Sequence, residues 1–279
     1  RVQGNVYLIV TGTGSNIVAQ VGDQGAMLVD ASVPEVSDKV LAQIRRLTKG
    51  PIRGIVDTSM DLDHIGGNAV ISAAGRAYGV RNIDNTTPGA DVVAHENMTL
   101  RLSKAGQTTC VASETYLGKE KKLNFVNGEG VVITHPESAH TDGDSMVYFR
   151  GSDVVVAGDL LDMTKYPVID LARGGSIQGT VDALNWILDV TVVEHMMEGG
   201  TLVVPGHGRM TDAADVAYYR DMVTIMRDRV REMTSRGMTL EKIKALRLTR
   251  DYDGRFGKNP SWTPDMFVEA IFKSLTPKT

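Results

Sequence analysis

The chain has very little cysteine and no marked excess of charge of either sign. Cys110 is the one cysteine in 279 residues, which excludes an intrachain disulfide and a cysteine-rich zinc module. The formal net charge is -4 and the pI is near 5.9, so no electrostatic field favours nucleic acid. No apolar run approaches the length of a membrane span. These absences argue against a nucleic-acid-binding protein and against a membrane-spanning one.

The spacing of apolar residues predicts a mixed α/β protein. Aliphatic and β-branched runs predict strands at 6–10, 16–21, 26–30, 52–56, 92–94, 123–126, 131–134, 145–149, 154–157 and 201–204. Apolar spacing of three and four predicts helices at 36–47, 67–74, 97–103, 180–189, 216–230 and 264–275, with a shorter one from 240. The polar stretch 104–120 is predicted to be an irregular loop. Since no linker divides the chain, we predict one domain over 1–279 with a helical C-terminal extension from about 212.

Residues 57–68, with the sequence DTSMDLDHIGGN, join a predicted strand to a predicted helix. Polar and apolar residues alternate along the first part of this segment, which suits an extended loop. Ser59, Asp61 and Asp63 then share one side, while the apolar residues between them anchor the other. His64 follows directly, so the loop offers two carboxylates and an imidazole within four residues.

Other residues of the same chemical type lie at predicted strand ends or in glycine-flanked turns. They are Asp30, His140, Asp159 and His207. Imidazoles and carboxylates that converge at one sheet edge bind a divalent cation and leave a position for water. A cation bound in this way lowers the pKa of the water towards neutrality and so produces a nucleophile. The residues therefore predict a metal centre.

Taken in this order, the stretches resemble the motifs of the metallo-β-lactamase-fold hydrolases, whose signature loop is H-x-H-x-D-H-x-G-G. Ser59 and Asp61 stand where that family usually has its first two histidines. The resemblance reaches to about residues 202–209 and implies a four-layer αββα sandwich of two mixed β-sheets with outer helices. Exported members are common in the family, so a periplasmic or secreted protein is favoured over a cytoplasmic one. Because the chain begins at Arg1, we also expect that an upstream segment has been removed.

The resemblance implies two metal sites that share Asp159, with Asp30 as a supporting carboxylate. The second site would use Asp63, His64, Asp159 and His207, all of which are present. The first site would combine His140 with Asp61, which offers a hard oxygen, while the neutral hydroxyl of Ser59 is a poor ligand. We expect zinc in one well-formed site and a second site that is weak, oxygen-rich or empty. Iron and manganese stay open as alternative ions.

The reaction that the resemblance implies is metal-dependent hydrolysis of a small molecule. A metal-bound hydroxide would attack an ester, lactone, thioester or amide, β-lactams included, and Asp61 or Asp63 would orient the water. One alternative is an iron-dependent oxidoreductase of the same fold, because its di-iron members carry a carboxylate at the position of Asp61. The other is a non-catalytic binding protein with a degenerate metal site. The sequence leaves the oligomeric state open.

Three further residues are candidates to line the site. Lys165 or Tyr166 could orient a substrate carboxylate or oxyanion, and Ser59 could offer its hydroxyl to the pocket. A structural hydrogen bond for Ser59, and a ring that anchors its own loop for Tyr166, are the alternatives. Isolated polar residues that match no ligand position are interpreted as structural: His95, His135, His195, Asp142 and Asp144.

Overall fold

The structure is a computed structural model, and it describes residues 1–77, 89–108, 112–191 and 200–276. Cys110 and His195 lie outside the described residues. The described parts of the chain form two six-stranded sheets. No helix among these residues has both the length and the apolar character needed to cross a membrane.

The first sheet is built from the N-terminal half of the chain. Its strands are β1 (Val6–Ile9), β2 (Ile17–Gly22), β3 (Gly25–Val29), β4 (Ile52–Val56), β5 (Asp91–His95) and β6 (Glu114–Tyr116), in that spatial order. The first two pairings are antiparallel and the other three are parallel. Parallel neighbours need a crossover connection. The connections of this sheet contain α1 (Ser37–Leu47), α2 (Leu62–Ile65), α3 (Asn68–Ala73) and α4 (Glu96–Lys104).

The second sheet is built from the later part of the chain and is mostly antiparallel. Its strands are β7 (Glu120–Val126), β8 (Glu129–Thr134), β9 (Met146–Phe149), β10 (Val154–Asp162), β11 (Leu202–His207) and β12 (Thr211–Asp212). They are hydrogen-bonded in this order. Only β10 and β11 are parallel, and α5 (Ile177–Val190) lies in the connection between them.

The alternation of side chains along each strand separates two kinds of core. In β3, Met27 and Val29 pack between the two sheets, whereas Ala26 and Leu28 pack against the layer that contains α1. Both faces of this strand are buried, which explains its continuous apolar run. The layers therefore follow the order helix, sheet, sheet, helix, and the predicted four-layer αββα sandwich is confirmed.

The C-terminal helices cover the outer face of the second sheet together with α5. They are α6 (Ala213–Ser235), α7 (Leu240–Ala245), α8 (Arg250–Phe256) and α9 (Pro264–Leu275). The apolar positions predicted for α6, from Val216 to Val230, are fully buried. The N-cap predicted for α9 is confirmed, because Thr263 Oγ1 accepts a hydrogen bond from the backbone N–H of Met266 and Pro264 is the first helical residue.

The prediction of an irregular loop over 104–120 was wrong for the described part of its second half. Strand β6 lies there and pairs in parallel with β5, and β7 begins at Glu120. Both strands lie at the edge of their sheets, and most of their residues are partly or fully exposed. Edge strands carry polar residues, so the apolar pattern that identifies a buried strand is missing from this stretch.

Candidate metal centre

The candidate ligands meet at one edge of the sandwich. Asp159 lies within a strand, His207 ends one, and the others lie in connections that follow strands. The segment after β4 carries Asp61, and α2 carries Asp63 and His64 in a single turn. The connection between β8 and β9 supplies His140. The second sheet contributes Asp159 from within β10 and His207 from the last position of β11. Side chains from both sheets thus face one cleft of about 60 Å³, lined by Asp61, Asp63, His140, Asp159, Asp162, Lys165, Val168 and His207.

One set of donors consists of Asp63, His64 and His207, with one donor atom from each lying within 4.8 Å of the others. His207 Nε2 lies 3.2 Å from Asp63 Oδ2 and 3.4 Å from Asp159 Oδ1. His64 Nε2 lies 3.1 Å from the same oxygen of Asp159. This set offers two imidazole nitrogens and a carboxylate, with Asp159 Oδ1 beside them.

The other set lies at the expected first site and is therefore named the first donor set. It consists of Asp61, His140 and Asp159, again with donor atoms within 4.8 Å of one another. His140 Nε2 lies 3.1 Å from Asp61 Oδ2 and 3.6 Å from Asp159 Oδ2. Asp159 therefore turns one oxygen towards each set, which is the arrangement of a bridging carboxylate. This set has two carboxylates and one imidazole, so it is richer in oxygen than the set of Asp63, His64 and His207.

Supporting hydrogen bonds fix the orientation of two of the imidazoles. His64 Nδ1 donates to Asp30 Oδ2 at 2.9 Å, and the Thr58 hydroxyl donates to the same oxygen at 2.7 Å. His140 Nδ1 donates to the Val168 carbonyl at 3.0 Å. Since both partners are hydrogen-bond acceptors, each Nδ1 carries the proton of the neutral imidazole. The lone pair of each Nε2 is then available to bind a cation.

The residues fit a divalent cation on a test that is independent of the family resemblance. His64 is completely buried, and its Nε2 has no hydrogen-bond partner, although Asp159 Oδ1 lies nearby. An unsatisfied buried nitrogen costs free energy unless something binds it. A cation between His64 and its neighbouring carboxylates would satisfy that atom.

The electrostatics of the ion-free site follow from three carboxylates facing three imidazoles. Burial alone would raise the pKa of Asp61, but hydrogen bonds from His140 and Arg173 lower it to about 2. Burial would lower the pKa of His140, yet Asp61 and Asp159 raise it to about 10. Burial also opposes protonation of His207, whose hydrogen bonds with Asp159 and Asp63 raise its pKa to about 9. Without a cation, protons on the imidazoles thus balance the negative charge of the carboxylates. A cation that binds would displace these protons.

The structure places the three candidate lining residues differently. Lys165 lines the cleft, with Nζ 3.4 Å from Asp162 Oδ2. Ser59 is completely buried, and its hydroxyl accepts a long hydrogen bond of 3.4 Å from the backbone N–H of Asp61. Ser59 is not among the residues that line the cleft, and its place fits the structural alternative.

Tyr166 does not line the cleft, which corrects its interpretation as a pocket residue. Its ring is completely buried and stacks on Phe267 with centroids 4.8 Å apart. Its hydroxyl donates to Asp253 Oδ1 at 2.9 Å. The large aromatic ring is drawn into the apolar core under the C-terminal helices, where it anchors the segment that continues to Val168.

The described residues that were interpreted as structural lie outside both donor sets. His95 and His135 stack on each other with ring centroids 3.5 Å apart. Asp144 accepts hydrogen bonds from the backbone N–H and the hydroxyl of Thr141, so it closes the turn that follows His140. Asp142 forms a bidentate pair with Arg101.

Two residues near the first donor set were not found from the sequence. Arg173 Nη1 contacts Asp61 Oδ1, and Arg173 Nε donates to Asp170 Oδ2 at 2.6 Å. Asp61 and Arg173 are 112 residues apart, and neither Arg173 nor Asp170 belongs to a motif. No pattern in the sequence indicated that they meet.

The structure is an αββα sandwich with two sets of nitrogen and oxygen donors at one edge of its sheets. This combination is typical of metal-binding proteins. A family model described as the metallo-beta-lactamase superfamily matches residues 1–209. The chain belongs to this superfamily, whose members are mostly metal-dependent hydrolases.

Solved structures of similar fold include metallo-beta-lactamases and an alkylsulfatase. The DIM-1 metallo-beta-lactamase is 17% identical with a TM-score of 0.58, and the match covers 80% of this chain and 96% of that one. A metallo-beta-lactamase from Pontibacter korlensis is 18% identical with a TM-score of 0.62, covering 80% and 97%. The sec-alkylsulfatase Pisa1 from Pseudomonas sp. is 14% identical with a TM-score of 0.69, covering 96% of this chain and 48% of that one. These likenesses show the fold alone, and no curated protein matches the chain.

Proposed function

We propose that the protein is a metal-dependent hydrolase of an ester, lactone, thioester or amide, β-lactams included. The observation that carries the proposal is the pair of donor sets, which share Asp159 and open on one cleft. The completely buried His64 supports it, because its Nε2 lies 3.1 Å from Asp159 Oδ1, where a cation would bind both atoms.

The donor chemistry suggests which ions the two sets hold. Asp63, His64 and His207 provide the mixed nitrogen and oxygen set that suits zinc. Asp61, His140 and Asp159 provide more oxygen, so manganese and iron compete better there than at a histidine-rich site. A divalent cation in this cleft would supply an activated water at neutral pH and would polarise the scissile bond.

The residues of the chain divide the remaining work. Asp61 is held by both Arg173 and His140, whereas His207 is the one ion-pair partner of Asp63 among the described residues. Asp63 is therefore the better placed carboxylate to orient the attacking water and to accept its proton. Lys165 lies at the cleft wall with its side chain 24% exposed, where its charge favours an anionic group on the substrate or an oxyanion in the reaction.

Sulfate-ester hydrolysis is a second candidate activity. The likeness to the sec-alkylsulfatase extends over 96% of this chain, whereas the likeness to DIM-1 covers 80%. The C-terminal helices, which support the segment between Tyr166 and Val168, therefore have a counterpart in the alkylsulfatase. A sulfate ester also offers the anionic group that Lys165 would favour.

A substrate panel tests both candidates on zinc-loaded and manganese-loaded protein. The panel contains p-nitrophenyl acetate, an acyl thioester, an acyl homoserine lactone, nitrocefin and a secondary alkyl sulfate. We expect turnover of at least one substrate and its loss with chelator. Asp63→Ala and His207→Ala should each lose turnover together with the ion bound by the set of Asp63, His64 and His207. His135→Asn is the matched control, because it removes an imidazole that lies outside the cleft. Turnover that survives in Asp63→Ala freed of metal would refute the proposal.

A further inference from the structure

Asp61 is the first member of a chain of charged groups that crosses the wall of the cleft. Its Oδ2 faces His140 Nε2 at 3.1 Å, while its Oδ1 contacts Arg173 Nη1. Arg173 Nε in turn donates to Asp170 Oδ2 at 2.6 Å. One oxygen of Asp61 is thus directed to the first donor set and the other is occupied by a guanidinium.

Arg173 is itself held in place by the loop that carries it. It ends a short 3-10 turn, and its backbone N–H donates to Asp170 Oδ1 at 2.9 Å. The backbone N–H of Asp170 donates to the His140 carbonyl at 2.9 Å. The side chains of Arg173 and Asp61 are only 29% and 31% exposed, so water competes little for their contact. The guanidinium is therefore preorganised to contact Asp61.

We infer that Arg173 is a positioning residue for the first metal site. It orients Asp61, which stands at a position where the family usually has a histidine ligand. The inference rests on the proposed metal-dependent function. By occupying Oδ1, Arg173 leaves only Oδ2 for a cation and makes Asp61 a monodentate ligand. Without this contact the carboxylate is free to rotate and to bind a cation through both oxygens.

The guanidinium also balances charge that a histidine would not bring. A neutral imidazole at position 61 would leave the first set with a single carboxylate, Asp159. With Asp61 present the set has two carboxylates, and Arg173 offsets the added negative charge on the side away from the cleft. Replacement of Arg173 should therefore change the affinity of the first site much more than that of the second.

The test measures manganese binding rather than activity. Chelator-treated wild-type protein, Arg173→Ala, Arg173→Lys and Arg101→Ala are titrated with Mn²⁺, and free Mn²⁺ is followed by electron paramagnetic resonance. Arg101→Ala is the matched control, because Arg101 forms a similar pair with Asp142 at 34% and 27% exposure but contacts none of the proposed ligands. The same substitutions are repeated in an Asp63→Ala background, where only the first site keeps its full set of donors. Circular dichroism and thermal unfolding confirm that each variant is folded.

We expect two bound ions in the wild type and in Arg101→Ala. In Arg173→Ala the dissociation constant for Mn²⁺ at the first site should rise about tenfold or more. Arg173→Lys should lie between them, because lysine keeps the charge and loses the fork that holds both carboxylates. In the Asp63→Ala background, Arg173→Ala should lose the remaining ion. Equal binding by folded Arg173→Ala and wild type, or a single wild-type ion that the substitution does not affect, would overturn the inference and leave the proposed function standing. A wild type that binds no ion would overturn both.

Discussion

Ser59 and Asp61 occupy alternate positions of one loop, yet only Asp61 reaches the cleft. Asp61 lies in a donor set with His140 and Asp159, while Ser59 is completely buried behind it. The two departures from the usual histidine motif therefore have different physical meanings. Asp61 replaces a nitrogen ligand with an oxygen ligand. Ser59 replaces a ligand with a buried residue that hydrogen-bonds within the loop.

This difference predicts different effects for two alanine substitutions. Ser59→Ala removes a buried hydroxyl with one long hydrogen bond, so we expect unchanged ion stoichiometry and a stability loss of about 1 kcal/mol or less. Asp61→Ala removes a donor and leaves Arg173 without one partner, so we expect the loss of one of two ions. Metal content after gel filtration measures the number of ions bound by each variant, and urea denaturation measures the stability loss of Ser59→Ala. An ion lost from folded Ser59→Ala would show that the hydroxyl acts as a ligand.

The sequence could indicate ligand residues because histidines and carboxylates at strand ends have recognisable neighbours. His64, His140 and His207 all reach the cleft region that their positions predicted. Arg173 could not be found in this way, because its role depends on a contact with a residue 112 positions away. The choice between the two roles of Tyr166 stayed open for a related reason. A pattern locates the loop but does not decide which of two adjacent side chains, Lys165 or Tyr166, turns towards the core.

At the scale of elements, the course of β10 sets the position of Asp159. Gly158 has a φ of +55°, and the pairing of β10 with β11 shifts register on both sides of it. A Cβ atom at this position would lie 2.4 Å from the Thr58 hydroxyl oxygen, which itself supports Asp30. Glycine is required here both for the left-handed backbone and for the close approach of the two sheets.

Gly158→Ala should therefore disturb stability and the metal centre together. We expect a loss of about 1–3 kcal/mol in the free energy of unfolding, from backbone strain and the clash with Thr58, and weaker binding at both sites. Urea denaturation and chelator competition measure these quantities. Gly254→Ala in α8 is the matched control, because nothing lies within 4 Å of its added Cβ and alanine favours a helix. A Gly158→Ala protein as stable as the control would contradict this account.

The stacked His95 and His135 connect three elements and predict a pH dependence of stability. His95 accepts a hydrogen bond from the backbone N–H of Asn97 at the start of α4, and His135 donates to the Asp144 carbonyl near the His140 loop. Burial and the neighbouring His135 lower the pKa of His95 from 6.5 to about 4. The unfolded chain thus binds more protons between these values, and the free energy of unfolding falls as the pH falls from 6.5 towards 4.

His95→Asn keeps a side chain that caps α4 and removes the titrating ring. Between pH 7 and pH 5 we expect the variant to lose about 1–2 kcal/mol less stability than the wild type. Urea denaturation of both proteins in the presence of chelator measures the difference, in which the contributions of the site histidines cancel. Parallel stability curves over this pH range would contradict the prediction.

Elements with an apolar stripe were predictable, and those without one were not. The spacing of apolar residues from Val216 to Val230 predicted α6, because a long helix buries one apolar face. The edge strand β6 has only three residues, and two of them are partly or fully exposed. The sandwich itself could be predicted only through the family resemblance, because local periodicity does not determine which strands become neighbours.

At the scale of the whole molecule, the metal centre depends on both sheets and on the C-terminal helices. The first sheet positions Asp61, Asp63 and His64, and the second positions Asp159 and His207. The helices act indirectly through Tyr166, whose ring packs on Phe256 and Phe267 beneath the segment that reaches Val168. The Val168 carbonyl in turn orients His140.

A chain ending at Asp212 tests whether residues 1–279 form one domain, as the sequence predicts. It would lack α6 to α9 and expose the apolar surface of α5 and β10 that those helices bury, including Leu184 and Ile187. Because this surface belongs to a continuous core, we expect the fragment to lack a cooperative urea transition and to bind no ion tightly. The full chain should unfold in one transition, with coincident curves by circular dichroism and tryptophan fluorescence. A fragment that unfolds cooperatively and binds both ions would instead make the helical region a separate unit.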